Sequence, residues 1–207
     1  MLVSPYKNTT QYTKIQMKPH MMNSDIQNIM KLVLRKKVEK RCNRHGFIDA
    51  VFRIENFIED DLRAENLSGC ANYDISYHCR LCIPIEESII IAQVKAINQE
   101  LILAANGPIM IFIPKDNIDT KVWDISDKFL NKKDNVNLKL NNYIKILVVN
   151  KRINQGDHQI KVIGNLLDFA TEDEVSNYYG SIISTDVNTE TEDNGISENQ
   201  SEDNYII

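Results

Sequence analysis

Ser88-Ile89-Ile90-Ile91-Ala92-Gln93-Val94-Lys95-Ala96-Ile97, Glu100-Leu101-Ile102-Leu103-Ala104-Ala105 and Ile109-Met110-Ile111-Phe112-Ile113-Pro114 are three short runs rich in β-formers, separated by turn signals. Asn106-Gly107-Pro108 joins the second run to the third. Tyr143 to Ile153 and Gln159 to Leu166 repeat the texture, and Asn154-Gln155-Gly156-Asp157 joins them. Between the third and fourth runs lies a long polar connection, Asp116 to Asn142. Five strands with a long connection after the third predict an OB-fold β-barrel over residues 84–170.

Upstream the pattern is mixed. Ile26, Ile29, Met30, Val33, Leu34 and Val38 fall on one face of a helix predicted from Asp25 to Arg41, with Ser24 as N-cap and Gln27 as its capping-box partner. The other face and the exit carry Lys31, Arg35, Lys36, Lys37, Lys40, Arg41 and Arg44 against Glu39, a bias that suits the C-terminal end of the helix dipole. Lys14 to Lys18 reads as a short strand, Phe47 to Ile54 as a second and Ala71 to Pro84 as a third, with an acidic loop from Asn56 to Ser68. A small sheet with one covering helix follows for residues 1–83, so the fold class is α+β.

At 43% apolar residues the chain of 207 can build real cores. It holds no run of about 18 apolar residues and no basic-then-apolar leader, which predicts a protein that neither spans a membrane nor enters the usual export route. The net charge of −5 hides an asymmetry: ten of the 29 acidic residues lie beyond Ala170, where there is no Lys or Arg. Residues 1–170 therefore carry 24 basic and 19 acidic residues, a net of +5 suited to a phosphate backbone. Residues 171–207 are rich in Ser, Thr, Asn, Asp and Glu and read as an acidic disordered tail.

Enzymatic chemistry finds little support. Cys79 and Cys82 have the spacing of half a zinc site, with Cys42 and Cys70 as further thiols. In a strand, however, residues three apart point to opposite faces, so the two sulfurs diverge and buried structural thiols are the expectation. Cys42 and His45 lack an orienting third group, the four histidines are scattered, and no glycine-rich phosphate loop is present. No cofactor and no metal is expected.

Three collinear stretches carry a resemblance. Val38-Glu39-Lys40-Arg41-Cys42, a short polar loop and Gly46-Phe47-Ile48 resemble the Val-Glu-Gly-Lys-Cys…Gly-Tyr/Phe-Ile signature of the stalk subunit of multisubunit RNA polymerases, the family of the seventh subunit of eukaryotic polymerase II and its archaeal counterpart. Gly107-Pro108-Ile109-Met110-Ile111-Phe112-Ile113 is similar to that family's Gly-Pro-Met-x-Val-Phe-Val, and Ile163-Gly164-Asn165-Leu166 to its Ile-Gly-Ser-Leu. There are departures: Lys40 stands where the family has glycine, the loop Asn43-Arg44-His45 is one residue shorter, and Glu86-Glu87-Ser88 replaces Lys-Gly-Glu. The wealth of Asn, Ile and Lys suggests a copy from a large DNA virus or a protist.

The resemblance implies a truncated ribonucleoprotein-like N-terminal domain, followed by the barrel, in a non-catalytic subunit. Its polymerase-docking tip would be Arg41, Cys42, Asn43, Arg44, His45, Gly46 and Phe47. The implied partners are the polymerase core subunits, a fourth-subunit-like stalk protein and nascent single-stranded RNA, in a virion or host cytoplasm for a viral copy and in a nucleus for a cellular one. The residues themselves nominate Lys115, Lys145, Lys151, Arg152, His158 and Lys161 for RNA, because OB-folds combine a basic groove with aromatic platforms. Phe112, in an apolar strand, reads as core, and Tyr143 as a cap on the barrel. The rival readings are a free-standing OB-fold RNA-binding protein of the translation-factor kind and a thiol or zinc enzyme.

Overall fold

The computed structural model describes residues 2–60, 67–124, 129–133 and 135–180. The first half is a four-stranded antiparallel sheet made by β1 (Tyr6–Met17), β2 (Arg41–Asn43), β3 (Gly46–Glu59) and β4 (Ala71–Cys82), in the order β1-β4-β3-β2. Helix α1 (Ile26–Val38) covers one face, where Met30 and Leu34 are fully buried against Ile15, Val51 and Tyr77. Ala71, Tyr73, Ile75, Tyr77, Cys79 and Leu81 of β4 point into this core with the period of two that the sequence shows.

β1 is far longer than the predicted Lys14–Lys18 strand and pairs with β4 from Tyr6↔Cys82 to Met17↔Ala71. Only its last residues, Ile15 and Met17, enter the core. The polar remainder is held by ladder hydrogen bonds, which leave no hydrophobic period to read. The helix start also differs, because the Ser24–Gln27 capping box does not form. The N-cap position is Asp25, whose N–H donates to Asn23 Oδ1 at 3.0 Å and whose Oδ1 accepts from Asn28 Nδ2 at 2.6 Å. Local Asx hydrogen bonds compete directly with such caps.

At the helix exit Glu39 is extended and Lys40 adopts φ +57°. The family-like glycine position is thus a left-handed one, which costs a side-chain-bearing residue about 1 kcal/mol. Lys40 occupies it while its N–H donates to Ile48 O at 2.8 Å and its ammonium reaches Asp49 at 2.6 Å.

The second half closes into a five-stranded barrel of β5 (Ile89–Ile97), β6 (Leu101–Asn106), β7 (Ile109–Pro114), β11 (Tyr143–Arg152) and β12 (Ile160–Phe169), in the order β11-β12-β7-β6-β5. Every pairing is antiparallel except β7 with β12, and β11 closes onto β5. This order, with a parallel pair between the third and fifth barrel strands, is consistent with an OB-fold. The connection from 115 to 142 is more than polar linker. It includes β8 (Trp123–Asp124), β9 (Leu130–Asn131) and β10 (Val136–Asn137), and it buries Trp123, Phe129 and Leu138 in the barrel core. Trp123 donates from Nε1 to Leu167 O at 3.2 Å.

The expected disordered tail needs correction at its start. Residues 172–180 form a second helix, α2, opened by a reciprocal capping box: the Thr171 N–H donates to Glu174 Oε2 at 2.9 Å, and the Glu174 N–H to Thr171 Oγ1 at 3.3 Å. Tyr178 is 4% exposed, and its hydroxyl accepts from Asn106 Nδ2 at 3.0 Å. Residues 181–207, the rest of that expectation, lie outside the described residues.

The two halves share an interior. Cys42, Phe47 and Cys82 belong to the barrel core although their strands belong to the sheet. Main-chain hydrogen bonds fasten the seam: Cys42 N–H donates to Asp157 O at 2.7 Å, Gly156 N–H to Cys42 O at 2.8 Å, and Val3 N–H to Ile89 O at 3.0 Å. Two glycines of the family-like stretches lie here. A Cβ on Gly46 would come within 2.6 Å of Ile83 Cγ1 and 2.7 Å of Cys82 O. A Cβ on Gly107, at φ +54°, would lie 2.3 Å from the Tyr6 hydroxyl but 3.7 Å from its ring carbon. Gly107→Ala should therefore lower unfolding free energy by about 2 kcal/mol. Introduced into a Tyr6→Phe background, the same change should cost about 1 kcal/mol less, because the clashing oxygen is gone. Urea unfolding of the four proteins checks this, and equal costs in both backgrounds would remove the Tyr6 contact as the reason for glycine.

Candidate nucleic-acid interface

Strand alternation sorts the barrel residues into an inner and an outer set. In β7 Ile109, Ile111 and Ile113 are buried, while Met110, Phe112 and Pro114 face outward. In β12 Ile160 and Val162 are buried, while Lys161 and Ile163 are exposed. Phe112, expected in the core, is therefore an outer-face residue.

Register then sets neighbours side by side across β7, β12 and β11. Phe112 pairs with Ile163 and Ile163 with Asn150, while Met110 pairs with Lys161 and Lys161 with Arg152. One row is apolar with an amide at its end, and the next, two residues or about 7 Å along the strands, carries two cations. Of these, Phe112, Ile163, Asn150, Lys161 and Arg152, together with Pro114, Lys151 and Val162, line a groove of about 480 Å³ with no carboxylate in its lining. A positive rim around an apolar floor is an arrangement that can hold a phosphate backbone with its bases turned inward.

The other nominated cations are distributed differently. Lys151 lines the groove, but its ammonium donates to Pro84 O at 3.0 Å, so it is engaged elsewhere. Lys115 is exposed on the short 3-10 turn Lys115–Asn117 that follows Pro114. His158, on the β11–β12 hairpin, is held at the seam with Nδ1 2.8 Å from Lys40 O. Lys145 lies away from the groove and pairs at 3.0 Å with Glu174 of α2, so the first turn of the acidic segment neutralises a barrel cation. Tyr143 meets Tyr179 of α2 edge-to-face at 5.9 Å between ring centres. The sequence reading missed α2, although Thr171 and Glu174 spell a capping box and Val175, Tyr178 and Tyr179 share a helix face.

The nominated tip divides by exposure. Cys42, Gly46 and Phe47 are buried at the seam, Asn43 is half-buried, and Arg41, Arg44 and His45 are exposed. The turn is built by Asn43, whose Oδ1 accepts the N–H groups of His45 at 2.8 Å and Gly46 at 2.9 Å. An Asx turn thus supplies what an internal glycine would otherwise provide. Beneath it Asp49, 8% exposed, accepts from Lys40 and from Arg80 Nε at 2.8 Å, with a second guanidinium nitrogen on the same oxygen. Arg80 in turn lies over the Tyr6 ring, 5.3 Å from its centre.

Three of the four cysteines, Cys42, Cys79 and Cys82, are buried free thiols. Cys79 faces the sheet core and Cys82 the barrel core, as the strand parity requires. Burial pushes the thiols of Cys42 and Cys79 up to about 11 and that of Cys82 higher still, so all three remain protonated and poorly nucleophilic at neutral pH. Among the described residues no group of three or more potential metal ligands occurs, and no helix is long and apolar enough to cross a membrane.

No family model matches the chain. A protein of Acanthamoeba polyphaga mimivirus, named as a DNA-directed RNA polymerase subunit, is 31% identical over 193 residues that span 91% of this chain and 97% of the mimivirus protein. The chain belongs to this family of viral DNA-directed RNA polymerase subunits. With coverage so nearly complete, the relationship of this polymerase subunit to its relative includes both the sheet and the barrel, along with the seam that joins them.

The charge cluster under the tip makes the polymerase subunit's stability depend on pH. Burial raises the Asp49 carboxyl, but the hydrogen bonds and charges of Lys40 and Arg80 outweigh it and hold its pKa below the ordinary 3.8. A depressed carboxylate stabilises the fold above the ordinary value, and that contribution is lost as pH falls through the folded-state value. Asp49→Asn should cost about 2 kcal/mol at neutral pH, and the gap to the parent should close as pH falls below the carboxylate range. Denaturant midpoints measured from pH 7 to about pH 2 check this. A gap constant with pH would show that the charge of Asp49 is not what stabilises the junction.

Proposed function

We propose that this polymerase subunit is the non-catalytic stalk subunit of its enzyme, attached to the core through the N-terminal domain and presenting the barrel to nascent single-stranded RNA. The observation that carries the reading is the groove on the outer face of β7, β12 and β11, where Arg152 and Lys161 rim an apolar floor on a barrel consistent with an OB-fold. Supporting it is the membership in a family of DNA-directed RNA polymerase subunits and the order of the two halves, a helix-covered sheet followed by the barrel. The N-terminal half is, on this reading, the truncated ribonucleoprotein-like domain.

Docking falls to the exposed part of the tip, Arg41, Arg44 and His45, which the Asn43 turn holds away from the buried seam. Nucleotide addition stays with the large subunits. A fourth-subunit-like partner would complete the stalk, and the site of action follows the polymerase, in virion or host cytoplasm for a virus-encoded copy. Binding through Arg152 and Lys161 is electrostatic, so it tolerates any RNA sequence and weakens with salt.

Affinity purification of the tagged chain from producing cells should recover the large polymerase subunits. The pair Arg41→Glu and Arg44→Glu should lower that recovery without lowering the melting temperature, since both side chains are exposed. Recovery of the chain alone would favour the free-standing RNA-binding protein instead. For RNA, each phosphate neutralised contributes about 0.7 to the slope of log affinity against log salt. The pair Arg152→Ala and Lys161→Ala should therefore flatten that slope by about 1.4, and an unchanged slope would take RNA off this face.

A further inference from the structure

The rows on the barrel's outer face differ in a way that phosphate binding alone does not use. Cations suffice to hold a backbone, yet the row beside them presents a half-buried aromatic ring, Phe112, and a β-branched side chain, Ile163, that is 44% exposed. Phe112 and Ile163 stand side by side on parallel strands, and nothing among the described residues covers the groove they floor. We propose that this floor seats an unpaired nucleobase, with Phe112 as the stacking surface and Arg152 and Lys161 holding the adjoining phosphates. The inference rests on the reading that the barrel binds single-stranded RNA, and it assigns base and phosphate to separate rows of the groove.

Three features support that occupant. The groove, at about 480 Å³, is in the range of sites that enclose small ligands, and its lining carries three cations and no carboxylate. The Lys161 ammonium has no hydrogen-bond or ion-pair partner among the described residues, so it is available for a phosphate without breaking another contact. The step of about 7 Å between the apolar and cationic rows separates a base from its backbone, whereas a surface for phosphate alone would need no apolar row. Asn150, exposed at the end of the apolar row, offers an amide that can donate to or accept from the edge of any base, which orients the base without selecting one. A duplex keeps its bases stacked inside and presents phosphate, so it can use the cations but not the floor.

The test measures fluorescence anisotropy of the full chain with a labelled oligouridine and with a blunt RNA duplex, each over a range of salt. Phe112→Leu keeps apolar bulk on the strand but removes the ring, and Phe112→Tyr keeps the ring. The leucine variant should bind the oligouridine about tenfold more weakly, the loss of one base–aromatic stack, with an unchanged salt slope and unchanged duplex binding. The tyrosine variant should bind within about twofold of the parent, which shows that the loss is not a folding defect. If Phe112→Leu leaves oligouridine binding intact while Arg152→Ala and Lys161→Ala weaken it, the base seat is wrong and the phosphate reading stands. Equal losses for oligouridine and duplex would likewise overturn the base seat. A leucine variant that binds RNA normally but recovers less polymerase would assign the floor to a protein partner. If the parent chain binds no RNA even at low salt, the base seat falls together with the RNA reading.

Discussion

The end of β4 is where the two halves become one structure. Leu81 points into the core under α1, and its neighbour Cys82 points into the core of the barrel, so one strand belongs to two interiors. Phe47 pairs with Cys82 and follows it into the barrel, and Cys42 on β2 completes the insertion with two main-chain hydrogen bonds to the β11–β12 hairpin. Fully buried apolar groups of this kind are worth about 1.5–3 kcal/mol each, so separating the halves would expose several such contributions at once. The hairpin that follows Arg152, at the rim of the groove, is therefore held against the strand that begins at Arg41 in the tip. Gly46 and Gly107 are small because the seam leaves no room for a side chain.

The elements whose side chains alternate or recur with a clear period were legible in the sequence. β4, β7 and the closing strand pair match the reading to within a few residues, because each buries every second residue against a well-filled core. What escaped was structure stabilised by something other than burial. The polar half of β1 is an edge strand that exists through its ladder to β4, and β3 continues to Glu59 with mostly exposed side chains for the same reason. α2 escaped because its acidic composition outweighed a short apolar face of Val175, Tyr178 and Tyr179. Lys40 shows the converse: the resemblance marks a glycine position, and the structure gives the backbone reason in a positive φ.

The candidate site was half visible. Arg152 and Lys161 could be nominated from charge near a hairpin, but that they share one face with Phe112 follows only from the register of three strands that are not all neighbours in sequence. Periodicity alone could not show that the outer face of β7 retains an aromatic ring, since an unbroken apolar run reads as buried on both sides. The same register removes Lys145 from the set and gives it to Glu174, while Lys151 lines the groove with its ammonium held by Pro84 O. Net charge misled in the opposite direction: an overall −5 conceals a body of +5, and it is the local potential that a phosphate backbone meets.

On the stalk reading, the transcript runs over the outer face of β7, β12 and β11 while the chain is part of a polymerase. Photocrosslinking of 4-thiouridine-labelled nascent RNA in the purified transcribing complex, followed by peptide mapping, tests this directly. Crosslinks are expected within residues 110–114 and 150–163 and none on α1. Crosslinks confined to the open face of the N-terminal sheet, or an absence of any on this subunit while the large subunits are labelled, would contradict it.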